Sequence, residues 1–249
     1  MNMNMNEATQ SSALDGAHVV VFGGSSGIGL EAAAAAKAKG ASVTLVGRTR
    51  AKLESAAQAI GGARIAVADI ADRHAVQAVF DEIARVDHLV VTAGRFIAGK
   101  LNETDPDHLL AALQERIAGP VYAIRAALPR MPATGSIVLT GGQLSDRPAA
   151  QGVSVIAAAV RGVEALAQSL ALELKPIRVN VVAPGFVATP LYDAFGPEAR
   201  DTILAGAAAA LPGGRVGRAD EVGEAIAFLL GNGFMNGEIL HVDGGGRLV

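Results

Sequence analysis

The stretch Gly23-Gly24-Ser25-Ser26-Gly27-Ile28-Gly29 constrains this chain more than any other. The apolar run Ala17 to Phe22 before it reads as a short buried strand, and the alanine-rich run Glu31 to Lys39 after it as a helix. A strand, a glycine turn and a helix start make the first half of a mononucleotide-binding unit. Gly23 permits a tight turn out of the strand, Gly27 lets a pyrophosphate approach the backbone, and Gly29 lets the helix pack closely on the sheet. The free N–H groups of the first helical turn then face an anion. The spacing is Gly-x-x-x-Gly-x-Gly rather than Gly-x-Gly-x-x-Gly. The alternative is a glycine-rich turn that binds nothing.

The length of 249 residues suits one large α/β domain, and the 51% hydrophobic content suits a sheet buried on both faces. Met1 to Ser12 is polar with a Met-Asn repeat and is expected to be a disordered tail, leaving 13–249 as a single domain. A net charge of −3 argues against nucleic acid as the main partner. No apolar stretch is read as a membrane span. Cysteine is absent, which excludes disulfides and thiolate metal sites, and no metal is expected. A cytoplasmic protein is the default expectation.

Strands are predicted at 42–46, 64–68, 88–91, 136–139, 178–182 and 239–242. Helices are predicted at 51–60, 73–84, 105–128, 151–174 and 219–230, with Asp105 or Thr104 capping the third and Pro106 in its first turn. Alternating strands and helices imply a parallel, doubly wound sheet. The segment 184–217 carries Pro184, Pro190, Pro197 and Pro212 and is the natural substrate lid, at about 188–215.

These residues resemble the short-chain dehydrogenase/reductase family over nearly the whole chain. Besides the glycine turn, the likeness rests on Asp69-Ile70, Thr92-Ala93-Gly94, Ser169 to Leu174, Ile177 to Asn180, Pro184-Gly185 with Thr189, and Val242 to Gly245. It implies a three-layer Rossmann fold with a seven-stranded sheet in the order 3-2-1-4-5-6-7, and a nicotinamide dinucleotide cofactor. Asp69 and Ile70 would meet the adenine, with a helix cap as the other role for Asp69. Ala93 and Gly94 would lie beneath the adenosine ribose. Pro184, Gly185, Val187 and Thr189 would hold the nicotinamide. Ser25, Ser26 and Ile28 complete the phosphate turn. The resemblance also implies a homo-oligomer, in the first instance a tetramer, acting on a small-molecule substrate.

Charge selects NADP(H). An NAD site places a carboxylate at the end of the second strand, about 20 residues past the glycines, to bind ribose hydroxyls. Here Gly47 stands there, followed by Arg48, with Thr49 and Arg50 beyond. An arginine can grip a 2′-phosphate in a forked, charge-assisted geometry, unless Arg48 is simply a solvated loop charge.

The family's reaction uses a Tyr-x-x-x-Lys pair, a serine and an asparagine. Counting back from Ser169 to Leu174 puts the tyrosine position on Ile156 and the lysine position on Val160. The serine falls on Gly142 or Gln143, with Ser145 close by, and the asparagine on Arg116. Neither Ile156 nor Val160 can transfer a proton. Arg116 can replace the missing positive charge and stabilise an oxyanion, or be a surface or interface charge; Tyr192, just beyond Thr189, can reach substrate from the lid. Two readings follow. One is an NADPH-dependent reductase of a small carbonyl or activated alkene with a rebuilt site. The other is a catalytically degenerate NADP(H)-binding protein acting as a redox sensor or structural partner.

Overall fold

A computed structural model describes residues 13–150 and 152–249, so the expected tail at 1–12 and the expected helix start at Gln151 lie outside the described residues. The strands are β1 (His18–Phe22), β2 (Ser42–Gly47), β3 (Arg64–Val67), β4 (His88–Val91), β5 (Ser136–Thr140), β6 (Arg178–Pro184), β7 (Val187–Ala188), β8 (Gly217–Arg218) and β9 (Ile239–Val242). The helices are α1 (Gly27–Ala38), α2 (Arg50–Ala59), α3 (Arg73–Asp81), α4 (Pro106–Leu113), α5 (Gly119–Ala127), α6 (Ser154–Glu173), α7 (Pro197–Ala210) and α8 (Ala219–Gly231). Seven strands form one parallel sheet in the order β3-β2-β1-β4-β5-β6-β9. This is the expected doubly wound order, with β9 as the seventh strand.

Strand side chains alternate between two cores. Val20, Phe22, Leu89, Val91, Ile137 and Leu139 face α3, α5 and α6, whereas Val19, Val21, Val90 and Val138 face α1, α2 and α8. The strand order reverses between β1 and β4, and the crevice at that switch point is where such sheets bind ligands. β1 pairs in parallel with both neighbours, so Phe22, Val46 and Val91 end side by side at its edge.

Three local features differ from the sequence reading. The helix expected over 105–128 is interrupted by a π-helical turn at Gln114–Ala118, where the Gly119 N–H bonds to the Gln114 carbonyl five residues back. Pro120 explains it: four residues past Arg116, it has no N–H for the Arg116 carbonyl, and its ring crowds that oxygen. The start of α4 is as read, with Pro106 in the first turn and the Asp105 carboxylate accepting from the N–H groups of Asp107 and His108. The segment expected to be least regular holds helix α7 and the two-stranded parallel pair β7–β8. Finally, α6 is 20 residues long and holds an 18-residue window with a mean hydropathy of 1.5, enough by length and composition to cross a bilayer. It is a core helix here, with Ile156, Val160, Val163 and Ala167 buried.

Two predictions follow from the packing. A methyl group on Gly29 would overlap the Gly23 carbonyl oxygen and Thr92 Oγ1. Gly29→Ala should cost about 3 kcal/mol and lower Tm by roughly 6–12 °C in a thermal melt. His88, buried at the start of β4 and bonded through Nδ1 to Ser136 Oγ at 2.8 Å, is pushed down from 6.5 to about 4, chiefly by burial, with Arg178 adding to the shift and Asp87 opposing it. A folded-state value below the unfolded one means this contribution is complete above pH 6.5 and is lost as pH falls toward 4. Stability should drop by about 3 kcal/mol over that window, and His88→Gln should remove that part of the pH dependence in denaturant titrations.

Candidate functional site

The glycine turn joins β1 to α1 at the switch point. The Gly23 and Gly24 N–H groups both bond to the Val46 carbonyl. No side chain caps the N-terminus of α1, and its first turn carries no acidic residue, so nothing of the chain competes there with an anionic ligand. At the end of β2, a Cβ added to Gly47 would lie 3.5 Å from Ser25 Oγ. Arg48, Thr49 and Arg50 follow, all exposed, and among the described residues no hydrogen bond or ion pair engages Arg48. A hollow of about 440 Å³ opens beside Ser25 and is lined by Lys52 and Ser55. The residues therefore fit a dinucleotide with a 2′-phosphate: an uncapped helix start, a glycine-wide gap and unengaged cations.

Ile70 is buried against Gly119, where a Cβ would come within 2.6 Å of Ile70 Cγ1. Asp69 does not cap α3. Its Oδ1 accepts from the Ala71 N–H at 2.9 Å, while Asp72 caps the helix through the N–H groups of His74 and Ala75. On the other side, Thr189 is buried, and a Cβ on Gly27 would meet it at 3.3 Å, so the glycine turn abuts the start of the 3₁₀ segment Pro190–Phe195. Pro184 ends β6, Val187 is buried in β7, and the Gly185 N–H bonds to the Val242 carbonyl.

The π-helical turn grips the loop after β4 with two consecutive residues. Buried Glu115 accepts from the Arg95 backbone N–H at 2.8 Å and from its Nε at 2.6 Å. Arg116 lies along Gly94, whose added Cβ would be 3.4 Å from Arg116 Cγ and Cζ, and its Nη2 donates to the Arg95 carbonyl at 3.3 Å. Arg116 Nε is buried without a hydrogen-bond partner. Burial lowers the Arg116 pKa, partly offset by Glu115.

Ile156 and Val160 are 1% and 4% exposed and form one cluster with Ile97, Ala112, Val153 and Ala159. Gly142 lies beside them: a Cβ there would sit 3.7 Å from Val160 Cγ1. Ser145, the nearby hydroxyl, is committed elsewhere, donating to buried Glu164 at 2.6 Å. Arg161, one residue past Val160, bonds to Glu164 at 2.9 Å and leaves the cluster apolar. Tyr192, in the 3₁₀ segment Pro190–Phe195, is pushed up to about 12 by burial, so it holds its proton more tightly than an ordinary phenol. The sequence reading overlooked the Glu115–Arg95 clamp and the buried amide of Gln143. Pro120 was the available signal for the first, and a polar residue at the serine position for the second.

A glycine turn at the switch point of a parallel sheet with a helix-start anion site defines a nucleotide-binding protein of the Rossmann class. Residues 23–246 match the family described as Enoyl-(Acyl carrier protein) reductase. The chain is 35% identical over 237 residues to a 3-oxoacyl-[acyl-carrier-protein] reductase of Bos taurus, covering 92% of this chain and 97% of that protein. It is 37% identical to a galactitol 2-dehydrogenase (L-tagatose-forming) of Cereibacter sphaeroides, covering 93% and 95%. A short-chain dehydrogenase of Burkholderia cenocepacia J2315, solved in complex with NADP, superposes with a TM-score of 0.86 at 31% identity, covering 94% of this chain and 99% of that one. The chain belongs to the short-chain dehydrogenase/reductase family, whose members matched here are oxidoreductases.

The filled cluster yields a prediction. Ile156→Tyr places a larger, polar side chain where no space is left, and should cost about 2 kcal/mol, read as a Tm lowered by roughly 4–8 °C.

Proposed function

We propose that this protein is an NADP(H)-dependent oxidoreductase, acting as a reductase of a small carbonyl compound or an activated alkene through a rebuilt site. The observation that carries the cofactor choice is the end of β2, where Gly47 leaves a gap beside Ser25 and Arg48 is unengaged. The relatives solved with NADP or NADPH support it. In this reading Ser25, Ser26, Gly27 and Ile28 hold the phosphates and Arg48 and Thr49 the 2′-phosphate. Asp69, Ile70, Ala93 and Gly94 flank the adenosine, and Pro184, Gly185, Val187 and Thr189 flank the nicotinamide. The bound cofactor supplies hydride chemistry.

The chain's own residues position the substrate and stabilise charge. Arg116, whose guanidinium is not deprotonated in proteins, faces developing negative charge on the substrate oxygen. It does not donate a proton. Ile156 and Val160 supply an apolar wall that keeps water from the reacting carbon. Tyr192, with its raised pKa, serves as a hydrogen-bond donor rather than an acid. The proton that completes the product comes from water. An activated alkene suits this arrangement better than a simple alcohol, because oxidising an alcohol needs a base to take the hydroxyl proton.

The second reading, a cofactor-binding protein without turnover, is favoured by the burial of Ile156 and Val160. It is separated from the first by NADPH consumption against a panel of ketones and enones. A homo-oligomer, with a tetramer as the first expectation, belongs to both readings, supported by the exposed Leu110, Leu113, Val121 and Leu172 on α4, α5 and α6. A cytoplasmic location is part of the same proposal.

Arg48→Ala tests the cofactor assignment. It should weaken NADPH binding by about tenfold or more and NADH binding hardly at all, because only NADPH carries the phosphate. Calorimetric titrations showing equal losses for both cofactors would sink the assignment.

A further inference from the structure

The chain has seven phenylalanines, two tyrosines and no tryptophan, and four of these nine rings meet at one place. Phe96 and Phe195 touch edge to face with centroids 5.8 Å apart. Phe195 and Tyr192 follow at 6.4 Å, and Tyr192 stacks on Phe186 at 6.5 Å. The rings come from three segments: the loop after β4, the residue after Gly185, and the lid. Phe96 packs on the Ile156–Val160 cluster, so the aromatic row continues the apolar wall to the lid. A chain so poor in aromatics does not need four of them merely to close a loop; leucine or alanine, both abundant here, would serve.

A polar group completes the wall. Gln143, in the turn after β5, makes no side-chain hydrogen bond among the described residues. Its Oε1 is fully buried, lying 2.9 Å from a Cβ built on Gly185 and 2.5 Å from one built on Gly246, while Nε2 is not buried. Ser145 is paired with Glu164 and Asp243 with Arg247. Holding a half-buried amide unpaired costs stability, and such a cost is retained where the amide serves a ligand. With its oxygen tucked between Gly246 and Gly185, the residue before Phe186, the amide sits beside the chain that carries one end of the aromatic row.

We propose that this site takes a planar aromatic ketone or enone, its ring lying on the row Phe96–Phe195–Tyr192–Phe186 and its carbonyl oxygen accepting an N–H from Gln143. The proposal rests on the reading of this region as the reductase's substrate site. Aromatic ligands gain from the ring quadrupoles what a saturated ring of the same size does not.

Acetophenone and cyclohexyl methyl ketone share a carbon skeleton and differ in ring saturation. Titrated calorimetrically into the full chain saturated with NADP+, acetophenone should bind about three- to tenfold more tightly. Phe96→Leu combined with Phe195→Leu should bring that ratio close to one. Gln143→Leu should weaken both ketones by about fivefold while leaving Tm unchanged or raised, since it removes an unpaired amide. Equal affinities in the unmodified protein, no binding of either ketone, a ratio that survives the double replacement, or a Gln143→Leu protein that binds as before would each overturn the proposal. So would a Gln143→Leu protein with a markedly lower Tm, which would give Gln143 a structural role. NADPH oxidation, measured in parallel, separates the two layers. An aromatic preference in binding with no reduction of either ketone removes the reductase reading and leaves this proposal standing. Reduction of both ketones with equal binding does the reverse.

Discussion

The contact on which the rest depends is the close approach of the glycine turn to the end of β4. The Thr92 hydroxyl donates to the Phe22 carbonyl at 3.0 Å, and its backbone N–H bonds to the same oxygen at 2.9 Å. A Cβ on Gly23 would come within 2.6 Å of that hydroxyl and 2.8 Å of the Ala93 nitrogen. With φ at +86°, Gly23 also takes a backbone conformation that a side chain would strain. The turn can therefore lie flat on the switch point, and α1 starts with its N–H groups aimed across it. The Asp69–Ile70 turn, the loop after β4 and the segment from Thr189 onward are all arranged around this one contact.

The second constraint is the π-helical turn. Pro120 removes a hydrogen bond and shifts the register of the helix, and this sets two neighbours, Glu115 and Arg116, on the same loop. Glu115 fastens the loop through Arg95, and Arg116 lies on Gly94. A cation at this place is compatible with folding because Glu115 lies beside it and loop carbonyls accept from its Nη2. Its Nε remains buried without a partner.

Most of the fold was legible in the residues. Near-continuous apolar strands, a glycine turn between the first strand and helix, and the Asp105-Pro106 start are local signals, and local signals survive tertiary packing. The interrupted helix was less legible, because a π turn depends on a missing N–H four residues away and not on the apolar period. The lid read as irregular from its prolines, yet Pro190 and Pro197 each sit in the first turn of a helical segment, a position where proline fits. At the site, the reading of Gly142, Ile156 and Val160 rests on counting along the chain back from Ser169. Their joint burial, the commitment of Ser145 to Glu164 and the unpaired Gln143 amide arise from contacts between distant segments, which spacing along the chain does not encode.

The central claim is that no titrating side chain moves the proton in this site. It is tested most directly by the pH profile of kcat/KM for NADPH oxidation on an activated alkene. The account predicts a rate that changes little between about pH 6 and 9, because a guanidinium is not deprotonated in proteins and the Tyr192 phenol is pushed up to about 12. A sigmoidal loss of rate inside that range, removed by replacing one side chain in the site, would contradict it by revealing a general acid.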